Sequence, residues 1–260
     1  MAIKTNKKIH EKNHKLTGHI KSLRLTITCT LEKHGSLFIP TLIGDDHEHR
    51  LGPSLIESLL SALSQVNSHA INGGSALITV AHGKFFCNGF DVPWGQSDAC
   101  SRLHQMVESF RSVISALLSL PIPTIAAISG HAAAGGLVLA LGHDYVLMRR
   151  DRGFLYMSEV DLAITLPDYV AALMRSKIGG SAARRDVLLR GMKVKGEEAV
   201  RMGIVDSTAY DSEKSVVEAA VRLGDRLAER RWNGEVYAEI RKSLYPEICG
   251  RIFFLNNNKY

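Results

Sequence analysis

Two turns rich in small residues are the parts of this chain whose residue types could do chemistry. The first covers residues 86–91 (Phe-Cys-Asn-Gly-Phe-Asp), and the second covers residues 130–136 (Gly-His-Ala-Ala-Ala-Gly-Gly). Each follows a short apolar run, and turns of this kind leave backbone N–H groups free. Two such groups aimed at one point can hold an oxyanion. Taken singly, each turn is also explained as an ordinary strand exit or as close packing of a helix, so the prediction depends on the pair.

Glu159 is the carboxylate best suited to acid–base chemistry. It follows the apolar residues 155–157 (Leu-Tyr-Met), and apolar surroundings raise the pKa of a carboxyl toward the range of a useful base. A surface Glu at a strand end is the alternative. Asp161 and Asp168 lie nearby in sequence, but stabilisation of a helix N-terminus explains Asp168. His131 could line a pocket or be a core histidine.

The chain lacks the motifs of several other enzyme classes. We find no GxSxG turn, no Ser/His/Asp set, no phosphate-binding loop followed by Lys-Ser/Thr and no GxGxxG fingerprint. The loop at residues 45–50 (Asp-Asp-His-Glu-His-Arg) has metal-binding residue types but no distant fourth ligand, so we predict no metal site. The chain has four cysteines, Cys29, Cys87, Cys100 and Cys249, and none of them is in a CxxC motif. This pattern predicts a reducing compartment and argues against disulfide bonds and a zinc site.

The positive charge of the chain lies in one segment. The chain of 260 residues carries a formal charge of +6, but residues 1–28 contain seven Lys or Arg and one acidic residue. The remaining body is neutral, which argues against a nucleic-acid-binding protein. We interpret residues 1–24 as a disordered basic extension, with a targeting segment as the alternative. No apolar run is long enough to span a membrane.

Strands and helices alternate in the predicted structure, as expected of an α/β domain with a parallel sheet. The ordered core begins near Leu25 and extends to residue 195, and residues 196–260 form a helical C-terminal region. The predicted strands cover residues 25–32, 37–43, 76–80, 124–129, 145–148 and 154–157. The predicted helices cover residues 53–66, 102–120, 135–141, 168–176, 181–190, 197–202, 213–230 and 234–244.

The joint pattern resembles the crotonase superfamily, the enoyl-CoA hydratases and isomerases. The resemblance extends from about Cys29 to Pro246 and rests on residues 86–91, 129–136, 144–145 and 156–162. Within the superfamily it is most similar to plant-type peroxisomal 3-enoyl-CoA to 2-enoyl-CoA isomerases, as residues 29–33, 85–91 and 232–237 indicate. The resemblance implies a crotonase-like spiral of ββα units whose helical C-terminal region forms trimers or hexamers.

The resemblance also implies roles for individual residues. The N–H groups of Phe90 and Gly135 match the oxyanion hole for the thioester oxygen, and Glu159 matches the catalytic Glu. Hydratases carry a second Glu at the position of Val138, and activating water needs two carboxylates, so Val138 favours an isomerase with a single proton shuttle. The substrate is an acyl-CoA thioester, and no separate cofactor is expected. The residues expected to shape the turns and bind substrate are Asn88, Gly89, Asp91 and Gly136.

Some positions depart from the family pattern. In another isomerase branch the base lies eight residues beyond Glu159, at the position of Pro167, so Asp168 is the reserve acid or base. Residues 251–260 do not suggest the closing helix of the family, and residues 258–260 are not a peroxisomal tripeptide. Localisation is therefore expected to be peroxisomal by resemblance and otherwise cytoplasmic. The alternative functions are an enoyl-CoA hydratase or other acyl-CoA lyase, with Asp161 or Asp168 as second acid, and a catalytically weak acyl-CoA-binding subunit.

Overall fold

A computed structural model describes residues 28–44, 47–70, 73–96 and 101–253 of the chain. The basic extension at residues 1–24, the first residues of the predicted first strand, the acidic pair at residues 45–46 and residues 254–260 lie outside the described residues. So does Cys100. The three cysteines within the described residues, Cys29, Cys87 and Cys249, are buried free thiols.

A five-stranded sheet forms one layer of the fold. Its first two strands form an antiparallel hairpin, and every later strand joins in parallel. Five strands therefore alternate with helices much as the apolar runs predict, with small differences at the ends. In spatial order the strands are β1 (Cys29–His34), β2 (Leu37–Leu42), β3 (Ala76–Ala81), β5 (Thr124–Ile128) and β7 (Tyr145–Met148).

A second sheet of three short parallel strands was not predicted. Its strands are β4 (Phe85–Cys87), β6 (His131–Ala133) and β8 (Leu155–Tyr156). We had interpreted the first two of these segments as parts of turns, which is wrong. Strands of two or three residues are too short to show alternation in sequence, and they form here because parallel neighbours supply their hydrogen bonds.

Ten helices cover the sheets within the described residues, and eight of them match predicted helices. The fold adds a short helix after β4 and a last helix, Pro246–Phe253. Its final residues, 251–253, belong to the segment in which we had expected no closing helix. Pro246 starts that last helix, and Ile248 and Ile252, one turn apart, are buried. The helices are α1 (Pro53–His69), α2 (Val92–Gln96), α3 (Ser101–Ser119), α4 (Gly135–Leu141), α5 (Asp168–Lys177), α6 (Ser181–Leu188), α7 (Gly196–Arg201), α8 (Glu213–Glu229), α9 (Gly234–Leu244) and α10 (Pro246–Phe253).

The large sheet separates two apolar layers. Alternate residues of β3 point to opposite faces, so that Ile78 packs toward α8 while Leu77 joins the main core. Helix α8 packs closely on the sheet at Gly224. A Cβ at that position would approach the Leu37 side chain to 2.9 Å, so the absence of a side chain permits the close packing. The main core fills the space between the two sheets, α1, α3, α4 and α5. None of the described helices is long and apolar enough to cross a bilayer.

A buried ion pair ties the C-terminal helices to the sheet. Arg241 of α9 is 3% exposed and donates to both oxygens of Asp144, at 2.7 and 2.6 Å. It also donates to the carbonyl oxygens of Leu120 and Ile122, each at 2.6 Å, beyond the end of α3. Burial opposes ionisation of Asp144, but the guanidinium outweighs it and lowers the pKa of that carboxyl.

Candidate functional site

Three turns leave the same edge of the small sheet. Strands β4, β6 and β8 are parallel, so their carboxyl ends meet at one edge, where open α/β sheets commonly bind ligands. Residues 88–91 follow β4, Ala134 and Gly135 follow β6, and Glu159 lies three residues after β8. The short second sheet therefore places the segments that carry the two predicted turns and the predicted base at one edge.

The turn after β4 presents the N–H group of Phe90. The N–H of Leu51 donates to the Gly89 carbonyl at 2.7 Å, and the N–H of Asp91 donates to the Leu51 carbonyl at 3.3 Å. This parallel bridge lies beside Phe90 and leaves the Phe90 N–H directed to the other side. Within the described residues that N–H has no protein acceptor. Gly89 permits the turn because its φ is 78°.

The turn after β6 presents the N–H group of Gly135. Gly135 is the first residue of α4, so its N–H has no partner inside the helix, and no other described residue accepts from it. Ala134 precedes it with φ 46° and ψ −119°, a combination that residues with a side chain rarely adopt. The Ala134 N–H holds this conformation by donating to the Tyr156 carbonyl of β8 at 2.9 Å.

The two turns are in direct contact. A Cβ at Gly89 would lie 3.0 Å from the Ala134 Cβ and 3.3 Å from the Gly135 nitrogen. A Cβ at Gly135 would lie 3.3 Å from the Phe90 ring and 2.9 Å from a Leu51 methyl group. Both glycines are therefore needed for the approach, which brings the two unpaired N–H groups into one region at the start of α4, where the helix dipole favours negative charge.

Asn88 and Asp91 support the first turn rather than face away from it. The Asn88 side-chain amide donates to a Glu48 carboxylate oxygen at 2.6 Å, and its carbonyl oxygen accepts from the Tyr156 hydroxyl at 3.5 Å. Asp91 accepts the Trp94 N–H at 3.2 Å and so starts α2. Asp91 therefore caps the first turn of α2. Glu48 and Tyr156 were not predicted as partners, because contacts between distant loops have no local signal in the sequence.

Gly136 serves close packing of α4 on β4. A Cβ there would lie 2.1 Å from the Cys87 carbonyl oxygen, which no side-chain adjustment can relieve. Close packing of the helix, the alternative explanation of the second turn, therefore accounts for the glycine at position 136. Contact of Gly136 with substrate stays a prediction. Val138, where a hydratase would carry its second Glu, is 1% exposed and packs in the main core.

Glu159 is a mostly buried carboxyl with spare hydrogen-bonding capacity. Burial raises its pKa, and N–H groups of its own residue and of Ser158 oppose that effect. Its Oε2 atom is buried and has no hydrogen-bond partner among the described residues. A buried carboxylate oxygen is destabilising unless a further group donates a hydrogen bond to it. A raised pKa together with an acceptor that is not already hydrogen-bonded is what a general base needs.

Asp168 and Asp161 are both exposed, unlike Glu159. Asp168 begins α5, its side chain is 71% exposed, and its nearest cation is Arg251 at 3.4 Å. Asp161 is also exposed. The helix-start explanation of Asp168 agrees with this geometry, and its use as a reserve base stays a prediction. Asp168 lines one end of a groove of about 400 Å³ between α3 and residues 165–168, with Leu103 and Val107 on the apolar side.

Among the described residues, no three His, Cys, Asp or Glu side chains cluster closely enough to hold a metal ion. The loop at residues 45–50 is only partly described, since residues 45 and 46 fall outside. Of its described members, His49 uses Nδ1 to contact the carbonyl oxygens of Phe85 and Phe86 at 3.0 and 3.3 Å. Glu48 pairs with Arg50 as well as with Asn88.

Known proteins share both the sequence and the fold. Residues 43–244 match the family described as enoyl-CoA hydratase/isomerase. The chain is 63% identical over 227 residues to enoyl-CoA delta isomerase 2, peroxisomal, of Arabidopsis thaliana, covering 85% of this chain and 94% of that one. It is 60% identical over 233 residues to enoyl-CoA delta isomerase 3 of the same plant, covering 88% and 97%.

The crystal structure of an enoyl-CoA hydratase/isomerase family protein from Pseudomonas syringae superposes with a TM-score of 0.78 at 20% identity, covering 91% of this chain and all of that one. At that identity the likeness concerns the fold, and it confirms the predicted crotonase-like architecture. The family predicted from the two turns and Glu159 is confirmed by the sequence match. The chain belongs to the enoyl-CoA hydratase/isomerase family.

Proposed function

We propose that the protein is an isomerase that converts cis- or trans-3-enoyl-CoA to trans-2-enoyl-CoA in fatty-acid β-oxidation. Three relatives at 63%, 60% and 50% identity are named enoyl-CoA delta isomerases. The structural observation that carries the proposal is a single buried carboxyl, Glu159, at the sheet edge where two unpaired N–H groups meet. One base and one oxyanion site are what a double-bond shift requires.

The proposed reaction uses Glu159 as a proton shuttle. Its carboxylate removes a proton from C2 of the 3-enoyl thioester, and the electron pair moves into a dienolate whose negative charge lies largely on the thioester oxygen. The N–H groups of Phe90 and Gly135 stabilise that charge; a single donor of this kind contributes about 3–4 kcal/mol in other enzymes. Glu159 then returns the proton to C4, which leaves the conjugated 2-enoyl thioester and regenerates the carboxylate.

The surroundings of Glu159 favour isomerisation over hydration. Adding water across the double bond needs one group to activate the water and another to deliver a proton. The position of the second hydratase carboxylate is Val138, which is fully enclosed in the core. We therefore assign the chemistry to Glu159 alone, with Asn88, Gly89 and Asp91 holding the oxyanion turn in place. No cofactor is part of the proposed reaction.

Within this proposal the acyl chain lies in the groove between α3 and residues 165–168. The groove between α3 and residues 165–168 begins one turn beyond Glu159, whose carbonyl accepts the N–H of Ile164 at 2.9 Å. Its apolar wall includes Leu103, Val107 and Leu166. We assign this groove to the part of the chain beyond C4, so that C2 and C4 both lie near the Glu159 carboxyl.

We further propose that the protein assembles as a homotrimer or a hexamer. Helix α9 exposes three apolar side chains one turn apart, Val236, Ile240 and Leu244, at 54%, 56% and 66%. They border a cavity of about 450 Å³ that also includes Trp232 and Tyr245. An apolar stripe beside a cavity is typical of a subunit contact. Two of the delta isomerase relatives are named peroxisomal, and we extend that location to this protein as part of the proposal.

The test is an isomerase assay with 3-enoyl-CoA esters of increasing chain length, following the absorbance of the conjugated product. We expect turnover of 3-enoyl-CoA and no measurable hydration of crotonyl-CoA, whose conjugated absorbance would be lost on hydration. Rapid hydration with slow isomerisation would overturn the proposal in favour of a hydratase. Tight binding of acyl-CoA without turnover of any 3-enoyl-CoA would overturn it in favour of a binding subunit.

A further inference from the structure

A short segment just before α1 lies alongside the turn that presents the Phe90 N–H. The main-chain carbonyl of Glu48 accepts the Asn88 N–H at 2.9 Å. Leu51 then pairs with the two residues that flank Phe90, through hydrogen bonds of 2.7 and 3.3 Å. We call residues 48–51 the bracing segment, because they pair with the turn as an added parallel strand would.

Both ends of the bracing segment are held by neighbouring parts of the site. His49 is 5% exposed, and its Nδ1 contacts the carbonyl oxygens of Phe85 and Phe86 in β4 at 3.0 and 3.3 Å. The φ of His49 is 51°, in the left-handed region that a residue with a side chain rarely adopts, and these contacts hold it there. Leu51 packs against the second turn, since a Cβ at Gly135 would lie 2.9 Å from its methyl group.

The Glu48 carboxylate orients the Asn88 side chain. Its Oε2 accepts the Asn88 amide N–H at 2.6 Å, and Arg50 pairs with the same carboxylate. A carboxylate only accepts hydrogen bonds, so the nitrogen of the amide must face it and the amide oxygen must point away. The charge of Glu48 therefore decides which way the Asn88 amide points, and it directs the amide oxygen toward Tyr156.

Tyr156 contacts both turns of the oxyanion site. Its hydroxyl donates to the Asn88 amide oxygen at 3.5 Å, and its main-chain carbonyl accepts the N–H of Ala134, the residue before Gly135, at 2.9 Å. Burial and then the charge of Glu48 raise the pKa of the Tyr156 hydroxyl, so the hydroxyl keeps its proton and remains a donor. A continuous chain of contacts thus runs from Glu48 through the first turn to the second.

We propose that Glu48 is a positioning residue for the reaction. Acting through the Asn88 amide and the Tyr156 hydroxyl, its carboxylate fixes the separation of the two N–H groups that hold the thioester oxygen. The inference rests on the proposed function, which supplies that oxygen. Negative charge on the oxygen is greatest in the dienolate, so a displaced donor raises the barrier more than it weakens substrate binding.

The first measurement separates kcat from KM with 3-hexenoyl-CoA. Glu48→Gln keeps the shape of the side chain but removes its charge, so that the Asn88 amide can point either way. We expect kcat to fall roughly 10- to 100-fold, because displacing a catalytic group by about 1 Å can cost that much. KM should stay within about threefold of the wild-type value, since the interaction concerned is strongest in the transition state.

A second variant tests the other end of the chain of contacts. Tyr156→Phe removes only the hydroxyl and keeps the ring and the main-chain carbonyl. Because its contact is the longer one, we expect kcat to fall only about three- to tenfold. Both side chains act through Asn88, so the double variant should lose less than the product of the two single losses.

Matched controls remove the same groups elsewhere. Glu57 is exposed on α1, and Tyr210 packs against the apolar layer between α8 and the large sheet. Glu57→Gln and Tyr210→Phe should leave both kcat and KM unchanged. Urea unfolding of the four single variants checks that the loss of kcat does not simply follow a loss of stability.

A spectroscopic measurement reports the two donors without any turnover. Cinnamoyl-CoA is a conjugated thioester that has no 3-ene to isomerise, and it absorbs at longer wavelength when hydrogen bonds polarise its carbonyl group. We expect a red shift when it binds the wild type or Glu57→Gln. At saturating protein, the red shift should be smaller in Glu48→Gln and in Tyr156→Phe.

The outcomes separate this inference from the proposed function. Either an unchanged kcat or an unchanged red shift in Glu48→Gln overturns the inference. A rise in KM alone also overturns it, because Glu48 would then be a substrate contact. If Glu48→Gln does not fold, Tyr156→Phe decides by the same criteria. A wild type that isomerises no 3-enoyl-CoA would reject the proposed function, while the red shift would still test how the donors are positioned.

Discussion

Replacing Glu159 with Gln tests the proposed base with the smallest change of shape. The amide fills the same space but cannot accept the C2 proton at neutral pH. General-base catalysis contributes about 100- to 10,000-fold to a rate, equivalent to roughly 3–5 kcal/mol on the barrier. Because Val138 supplies no second acid or base, we expect the loss to lie near the upper end of that range. Affinity for a 2-enoyl-CoA ester should be retained, since the oxyanion turns are untouched.

The same substitution should lower activity but raise the free energy of unfolding at pH 7. Burial raises the pKa of Glu159 in the folded protein above the value of 4.5 for an unperturbed Glu, so the folded state holds this proton more tightly than the unfolded state. The free energy of unfolding therefore falls as pH rises from about 4.5 through the raised pKa of Glu159 in the folded protein. Glu159→Gln has no such proton. We expect the variant to be more stable than the wild type at pH 7, with a difference that shrinks as pH falls toward 4.5.

The assay follows formation of the conjugated 2-enoyl thioester from 3-hexenoyl-CoA, with urea unfolding of both proteins at several pH values. Wild-type kcat/KM should increase with pH as Glu159 loses its proton. Asp161→Asn is the matched control, because it removes an exposed carboxylate two residues away. Turnover near the wild-type level in Glu159→Gln would refute the reasoning, as would an equal loss in Asp161→Asn. A lower stability of Glu159→Gln at pH 7 would contradict the pKa argument alone.

Three further changes test the structure around the site. Gly136→Ala places a Cβ 2.1 Å from the Cys87 carbonyl, and we expect a loss of more than about 3 kcal/mol in urea unfolding, or no soluble protein. Arg241→Met leaves Asp144 buried without its cation, which should lower the free energy of unfolding by about 3–5 kcal/mol. Ile240→Glu puts a charge in the apolar stripe of α9, and we expect light scattering to report monomers in place of the proposed trimer or hexamer.

The large sheet and most helices could be predicted from the sequence because each carries a long periodic apolar pattern. Helix α3 is an example, with six buried residues at helical spacing. The small sheet could not be predicted, because Phe85–Cys87 and His131–Ala133 are three residues each and take their partners from distant parts of the chain. The turns that follow these strands were recognised, yet their contact depends on this unpredicted sheet.

The candidate site was predictable to the extent that it depends on residue types. Glu159 stands out as one carboxylate after an apolar run, and the glycines at positions 89 and 135 mark the turns. The supporting contacts were not predictable. Nothing local indicates that Tyr156 contacts Asn88, or that Arg241 would cross to Asp144, because these pairs are separated by 68 and 97 positions. Long-range pairs of polar residues are decided by the fold and not by spacing.

The ion pair between Arg241 and Asp144 also sets an order for folding during synthesis. The eight strands of the described residues, with Asp144 beside them, are made before α9. Until Arg241 arrives, the growing chain has a carboxylate at the sheet without its cation, together with carbonyl groups beyond α3 that lack their donor. A nascent chain that stops before α9 should therefore stay loosely packed and open to chaperones or proteases. The spiral and its C-terminal helices would then reach the native state in a single late step.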